Sequence, residues 1–189
     1  FGSSALSIEV YNTHDLWMMR CSALRIASLL AFSTVCAKAA GTSADPIIKP
    51  GEIIFLRAFS GNHLETFKVE TLLARRISHG NAQKFIMTKL EAGPIYHGDT
   101  VYLTAASGLR ISVDGETVRT NTLKLGPREA LQVERLGGGP SPLRVGDSLF
   151  FKADTGKYID VDLQGQVRCR FPEPTGYHVF TVEKPENAY

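Results

Sequence analysis

An all-β fold is predicted for this chain by three observations: an internal repeat, a two-residue alternation of apolar and polar side chains, and glycine-marked turns. The repeat carries most weight. Gly51-Glu-Ile-Ile-Phe-Leu-Arg-Ala-Phe-Ser-Gly61 matches Gly98-Asp-Thr-Val-Tyr-Leu-Thr-Ala-Ala-Ser-Gly108, and both match Gly146-Asp-Ser-Leu-Phe-Phe-Lys-Ala-Asp-Thr-Gly156. The closing glycines Gly61, Gly108 and Gly156 are 47 and 48 residues apart, a period that marks a tandem architecture. Three copies of about 45 residues, with four short strands each, close as a β-trefoil: a six-stranded barrel capped by three hairpins, with no exposed sheet edge. The fold class expected is therefore all-β, a β-trefoil of three internal repeats preceded by an N-terminal signal-like helical segment. An eight- or nine-stranded sandwich is the alternative, and it leaves the threefold phase unexplained.

The elements follow in chain order. Met18 and Met19 precede Arg20 and Arg25, then the apolar run Ile26-Ala-Ser-Leu-Leu-Ala-Phe-Ser-Thr-Val35 and Ala37-Lys-Ala-Ala40. A short basic stretch, an apolar core and a small-residue cleavage site read as a secretory signal peptide over 18–39. Residues 1–17 then read as an upstream or non-native extension, and 40–50 as a leader into the domain. The expected location is secreted, or the lumen of an organelle. Cys21 and Cys36 fall inside the removed segment, leaving Cys169 without an intramolecular disulfide partner, so the domain must rest on its core.

The domain itself is expected over 51–186, in copies 51–93, 98–139 and 146–186. After Gly108, Leu109, Ile111 and Val113 alternate with Arg110, Ser112 and Asp114; after Gly156, Ile159, Val161 and Leu163 alternate with Tyr158, Asp160 and Asp162. That is the period of a half-buried strand. Asp114-Gly115 and Gln164-Gly165 are hairpin turns. Each copy closes on another alternating strand, beginning at Phe85, Leu131 and Phe180. The middle of the first copy, Phe67 to Arg76, lacks a hairpin glycine and reads as a helical turn or a longer loop. The inward set expected is Phe55, Leu64, Phe85, Tyr102, Ile111, Leu131, Phe150, Ile159 and Phe180.

The segments Val101-Tyr-Leu-Thr-Ala-Ala-Ser-Gly-Leu-Arg-Ile-Ser-Val-Asp-Gly115 and Leu149-Phe-Phe-Lys-Ala-Asp-Thr-Gly-Lys-Tyr-Ile-Asp-Val-Asp-Leu-Gln-Gly165 resemble fascin-type β-trefoil repeats. The resemblance spans 51–186 and implies the fold, with a structural or interaction role beside it. Fascins proper carry four trefoils and bundle actin inside cells; this chain has one copy of the unit behind its signal segment. The Gln-x-Trp of ricin-type lectin trefoils does not occur, and the only tryptophan, Trp17, precedes the domain.

Composition narrows the chemistry. The 189 residues carry a formal charge of +2 with both signs interspersed, which excludes bulk attraction to nucleic acid, and no apolar run is long enough for a membrane span. There is no Gly-x-Ser-x-Gly, phosphate loop or dinucleotide fingerprint. His63, His79, His97 and His178 show no metal-ligand spacing. A binding protein is thus expected, not an enzyme, with no catalytic residue, metal or cofactor. The candidate ligand-binding set is Asp154, Lys157, Tyr158, Asp160 and Asp162. Tyr158 reads as an outward ring suited to stacking on a pyranose, with Arg110 and His63 as its equivalents in the other copies. Asp160 and Asp162, alternating with Ile159 and Val161, read as the solvated face of a strand. The expected function is lectin-like recognition of a carbohydrate or glycoprotein. The alternative is a fascin-like structural subunit docking with a protein partner in an assembly.

Overall fold

A computed structural model describes residues 46–68 and 70–185. Twelve strands run in chain order: β1 (Ile53–Ala58), β2 (His63–Phe67), β3 (Thr71–Arg76), β4 (Phe85–Thr88), β5 (Thr100–Ala105), β6 (Arg110–Asp114), β7 (Thr117–Thr122), β8 (Leu131–Arg135), β9 (Ser148–Ala153), β10 (Tyr158–Val161), β11 (Val167–Phe171) and β12 (Phe180–Glu183). Single 3-10 turns occupy Asn81–Gln83 and Gly176–His178. No helix among the described residues is long and apolar enough to cross a membrane. The signal-like segment and its expected helix lie outside the described residues.

The strands begin where the repeat frame says they should, and for a local reason. Gly51, Gly98 and Gly146 adopt φ of 89°, 91° and 89°, a left-handed conformation that costs glycine nothing. The acid after each glycine turns back and accepts the backbone N–H three residues earlier: Glu52 from Lys49 (2.8 Å), Asp99 from Tyr96 (3.0 Å) and Asp147 from Arg144 (2.8 Å). The Gly-acid pair is thus a turn that launches β1, β5 and β9.

Hydrogen bonding corrects the expected fold class. All twelve strands belong to one antiparallel sheet, so the hairpins are not separate caps on a barrel. Ten of them, in the order β10-β11-β7-β3-β2-β1-β4-β5-β8-β9, return to β10 and close a barrel, and β6 and β12 are the two extra strands. The physical reason is that the hairpins share backbone pairing with everything around them. They meet the strands before them at Arg57↔His63, Thr104↔Arg110 and Lys152↔Tyr158. They meet each other at Thr71↔Arg119, Thr117↔Arg168 and Leu73↔Gln166. A closed antiparallel barrel replaces the β-trefoil as the description of this chain.

Two local readings are corrected with it. The middle of the first copy is a hairpin, β2–β3, and Lys68 takes the positive φ (46°) that glycine supplies at Gly115 and Gly165. All nine expected inward residues are buried, but Phe55, Tyr102 and Phe150 stand outside the continuous core. Their neighbours Ile54 and Leu56, Val101 and Leu103, and Leu149 and Phe151 fill it instead. Both faces of β1, β5 and β9 are covered, so alternation could not tell which one faces the core.

Candidate functional site

The closing segment of each copy meets the first turn of the next, so the barrel presents three equivalent junctions. In each, a residue just before β4, β8 or β12 caps its own loop: Gln83 accepts from the N–H of Gly80 (2.9 Å), Glu129 from Gly126 (2.9 Å) and His178 Nδ1 from Thr175 (2.8 Å). The residue before that cap is Ala82, Arg128 or Tyr177. Two of these face the turn of the following copy: Arg128 lines a groove with Asp154, and Tyr177 packs on Phe59. The capping hydrogen bond recurs three times, and the chemistry beside it differs each time.

At the junction of the third and first copies, Phe59 and Tyr177 pack edge to face, with centroids 4.7 Å apart. At that of the second and third copies lies an open groove of about 690 Å³. Its polar lining includes Ser112, Asp114, Arg119, Asn121, Arg128 and Asp154, and Leu125 gives a half-exposed apolar wall. The Ser112 hydroxyl donates to Asn121 Oδ1 (2.7 Å), and Arg128 pairs with Asp114 at 3.3 Å. Both members of that ion pair are largely exposed, so the pair adds little stability and its groups are available to a ligand. The fixed frame is the β6–β7 hairpin, with the loop from Leu123 to Glu129 bent over it by the Glu129 cap.

The structure disperses the five residues expected to bind ligand. Asp154 is exposed and lines this groove. Lys157 reaches Glu116 at 3.6 Å. Asp162 holds the β10–β11 turn, accepting the N–H groups of Gln164 (3.0 Å) and Gln166 (2.8 Å). Tyr158 is buried, not outward, between Phe150 and His178, and its hydroxyl donates to Glu134 Oε2 (2.9 Å). Burial and that hydrogen bond raise the pKa of the phenol, and no ring face is left for a sugar. Asp160 is fully buried, not solvated: Arg170 folds over it, with Nε 3.2 Å from Oδ2. All of β10 is buried because the barrel covers its second face, which a two-residue alternation does not reveal. Cys169 beside it is inert, since burial pushes its thiol up to about 11.

One cluster escaped the sequence reading. His63 at the start of β2, His79 before the Gly80 loop and Glu183 at the end of β12 converge at the junction of the first and third copies. Glu183 Oε2 lies 2.9 Å from His63 Nε2 and 3.0 Å from His79 Nε2, and the two nitrogens are 3.0 Å apart. The other carboxylate oxygen accepts from Arg57 Nε. Burial pushes the Glu183 carboxyl up, but the hydrogen bonds from His63, Arg57 and His79 outweigh it and hold the group at about 2. His79 stacks on Phe55, with centroids 4.5 Å apart, and His63 is buried. The sequence signal was the departure of positions 63 and 79 from their equivalents in the other copies.

No family model and no curated protein sequence matches the chain. Solved structures do match in fold. A Caenorhabditis elegans protein of unknown function aligns at TM-score 0.66 and 12% identity, over 76% of this chain and 99% of that one. The SDF2-like protein of Arabidopsis thaliana aligns at 0.59 and 12%, over 75% and 99%. The designed threefold-symmetric protein ThreeFoil aligns at 0.56 and 16%, over 70% and 99%. At these identities the likeness is one of fold.

Proposed function

We propose that this protein is a non-catalytic, lectin-like binding module, secreted or lumenal, that takes a neutral carbohydrate in the groove between its second and third copies. The carrying observation is the groove itself, an opening of about 690 Å³, the size range of small-molecule sites. Its lining suits a polyol. Ser112 and Asn121 offer a hydroxyl and an amide, Asp114 and Asp154 accept, and Arg119 and Arg128 donate. Charges of both signs within one groove favour a hydroxyl-bearing ligand over a polyanion, which would want a single sign. Leu125, not an aromatic ring, supplies the apolar contact. The signal peptide read over 18–39 supports the location.

The test is a glycan-array screen of the purified chain against Asp154→Ala and Arg128→Ala. Both side chains are exposed, so the fold should survive. Each loss should weaken binding by about tenfold, the value of one charge-assisted hydrogen bond. A blank array from folded protein would remove the carbohydrate reading.

A second reading, a fascin-like interaction unit, is favoured by the exposed pair Phe59 and Tyr177, 41% and 46% accessible. Exposed aromatic side chains are enriched where proteins meet. A partner captured from the native source by the wild type and lost with Phe59→Ser would support it over the groove.

A further inference from the structure

We propose that His63, His79 and Glu183 form a divalent-cation site of the zinc type, separate from the carbohydrate groove and independent of that reading. The three ligand atoms, two imidazole Nε2 and one carboxylate Oε2, stand 2.9, 3.0 and 3.0 Å from one another.

Protons alone do not satisfy this triangle. If both Nε2 atoms carry hydrogens, both donate to the carboxylate, and the two N–H groups then oppose each other at 3.0 Å. If only one does, the bare nitrogen of the other ring presents its lone pair to an oxygen lone pair at about hydrogen-bond distance. A proton on the carboxylate is excluded by the company it keeps, with Arg57 on its other oxygen. Every arrangement leaves one close repulsive contact. A cation accepts all three lone pairs at once.

The size is right. Zinc binds imidazole nitrogen and carboxylate oxygen at about 2.0–2.2 Å. A point about 2.1 Å from all three atoms lies about 1.2 Å off their plane, with bond angles near 90° on these ligand lengths. Opening the triangle by a few tenths of an ångström widens those angles toward tetrahedral. Two histidines and one glutamate are a set used by zinc sites that keep a position open, and the exposed side of His79 (38% accessible) supplies the opening. Arg57 binds the second carboxylate oxygen and so aims the first at the imidazoles, the orienting role of an outer-shell partner. Nδ1 of His63 is buried without a hydrogen-bond partner among the described residues. Its tautomer is therefore set from the Nε2 end.

The other copies show that the fold does not require this cluster. The stations of His63, His79 and Glu183 hold Tyr158, Pro174 and Glu134 at the second junction, where a single Tyr158–Glu134 hydrogen bond of 2.9 Å suffices. At the remaining junction they hold Arg110, Leu125 and Thr88, a set with no metal ligand of the imidazole or carboxylate kind.

The test uses the full chain, free of affinity tags and stripped with chelator. Zinc binding is measured by competition with a chromophoric chelator, and cobalt replaces zinc to give a visible ligand-field spectrum. The expected result is one zinc per chain, ligand-field bands with cobalt, and at least a tenfold loss of affinity in both His79→Ala and Glu183→Gln. His79 is partly exposed, so its alanine variant should keep the fold, and circular dichroism confirms that. His97→Ala is the control and should bind as the wild type does. Absence of a stoichiometric site would overturn the proposal, as would affinity unchanged in His79→Ala. Binding abolished instead by Cys21→Ser with Cys36→Ser would overturn it too.

Discussion

His178 is fully buried, and burial lowers its pKa from the ordinary 6.5, opposed in part by its contact with Thr175 and by Asp160. The unfolded chain takes up a proton near pH 6.5 that the folded chain resists. His178 therefore contributes stability that is present above that pH and lost as pH falls toward the folded value. The first copy shows how to remove the effect without harming the loop, because Gln83 fills the same station with the same cap. His178→Gln should flatten the fall in melting temperature between pH 7.5 and pH 5.5, read by calorimetry. An undiminished fall would mean that other groups cause it. At this scale the sequence was partly legible. The launching acids Glu52, Asp99 and Asp147 and the burial of Phe85, Leu131 and Phe180 followed from the frame. The places of Tyr158 and Asp160 did not, because alternation marks a change of face without saying that both faces are covered.

The hairpins carry the next level of order. The β10–β11 turn brings Gly165 (φ 78°) against β3, where Ala74 donates its N–H to the Gly165 carbonyl at 2.8 Å. A Cβ on Gly165 would stand 2.6 Å from the Ala74 carbonyl oxygen, whereas one on Gly61 (φ 82°) would meet nothing within 4 Å. Gly61→Ala should cost about 1 kcal/mol, the strain of a positive φ alone. Gly165→Ala should cost roughly 3 kcal/mol or more, because backbone strain and the displaced strand contact add. Urea denaturation of the two variants measures the difference, and equal costs would refute the close approach as its source. Strand positions were readable because glycine and alternation are local signals. The hairpin at Lys68 was missed because a lysine in the left-handed region carries no such mark, and which hairpin touches which is set by closure of the sheet.

For the whole molecule, the decisive contacts are long in sequence and fixed by register. β1 pairs with β12 from Phe55↔Glu183 to Ala58↔Phe180, and Phe180 and Val182 enter the core from that last strand. Removing residues 180–189 should therefore abolish cooperative unfolding and expose apolar surface to a hydrophobic dye. A sharp thermal transition in the shortened chain would show that the pairing of β12 with β1 and β9 is dispensable. The same distances explain why the sites were hard to read. His63 and His79 are 16 residues apart and Glu183 is 120 from His63, so no local motif contains them. The groove joins the β6–β7 hairpin to Asp154 across a copy boundary. Only Asp154 of the expected set reaches it, since its neighbours Tyr158 and Asp160 turn inward.

The pairing of β1 with β12 also sets a timetable for the newborn chain. Arg57 leaves the ribosome 126 residues before Glu183, its eventual partner. At about 5–20 residues per second this is on the order of ten seconds. Throughout that interval one edge of β1 has no strand to pair with, and an open edge invites pairing with another chain. The first strand must therefore be shielded in trans, or held among its own early neighbours β2 and β4, until the last strand emerges to pair with its open edge.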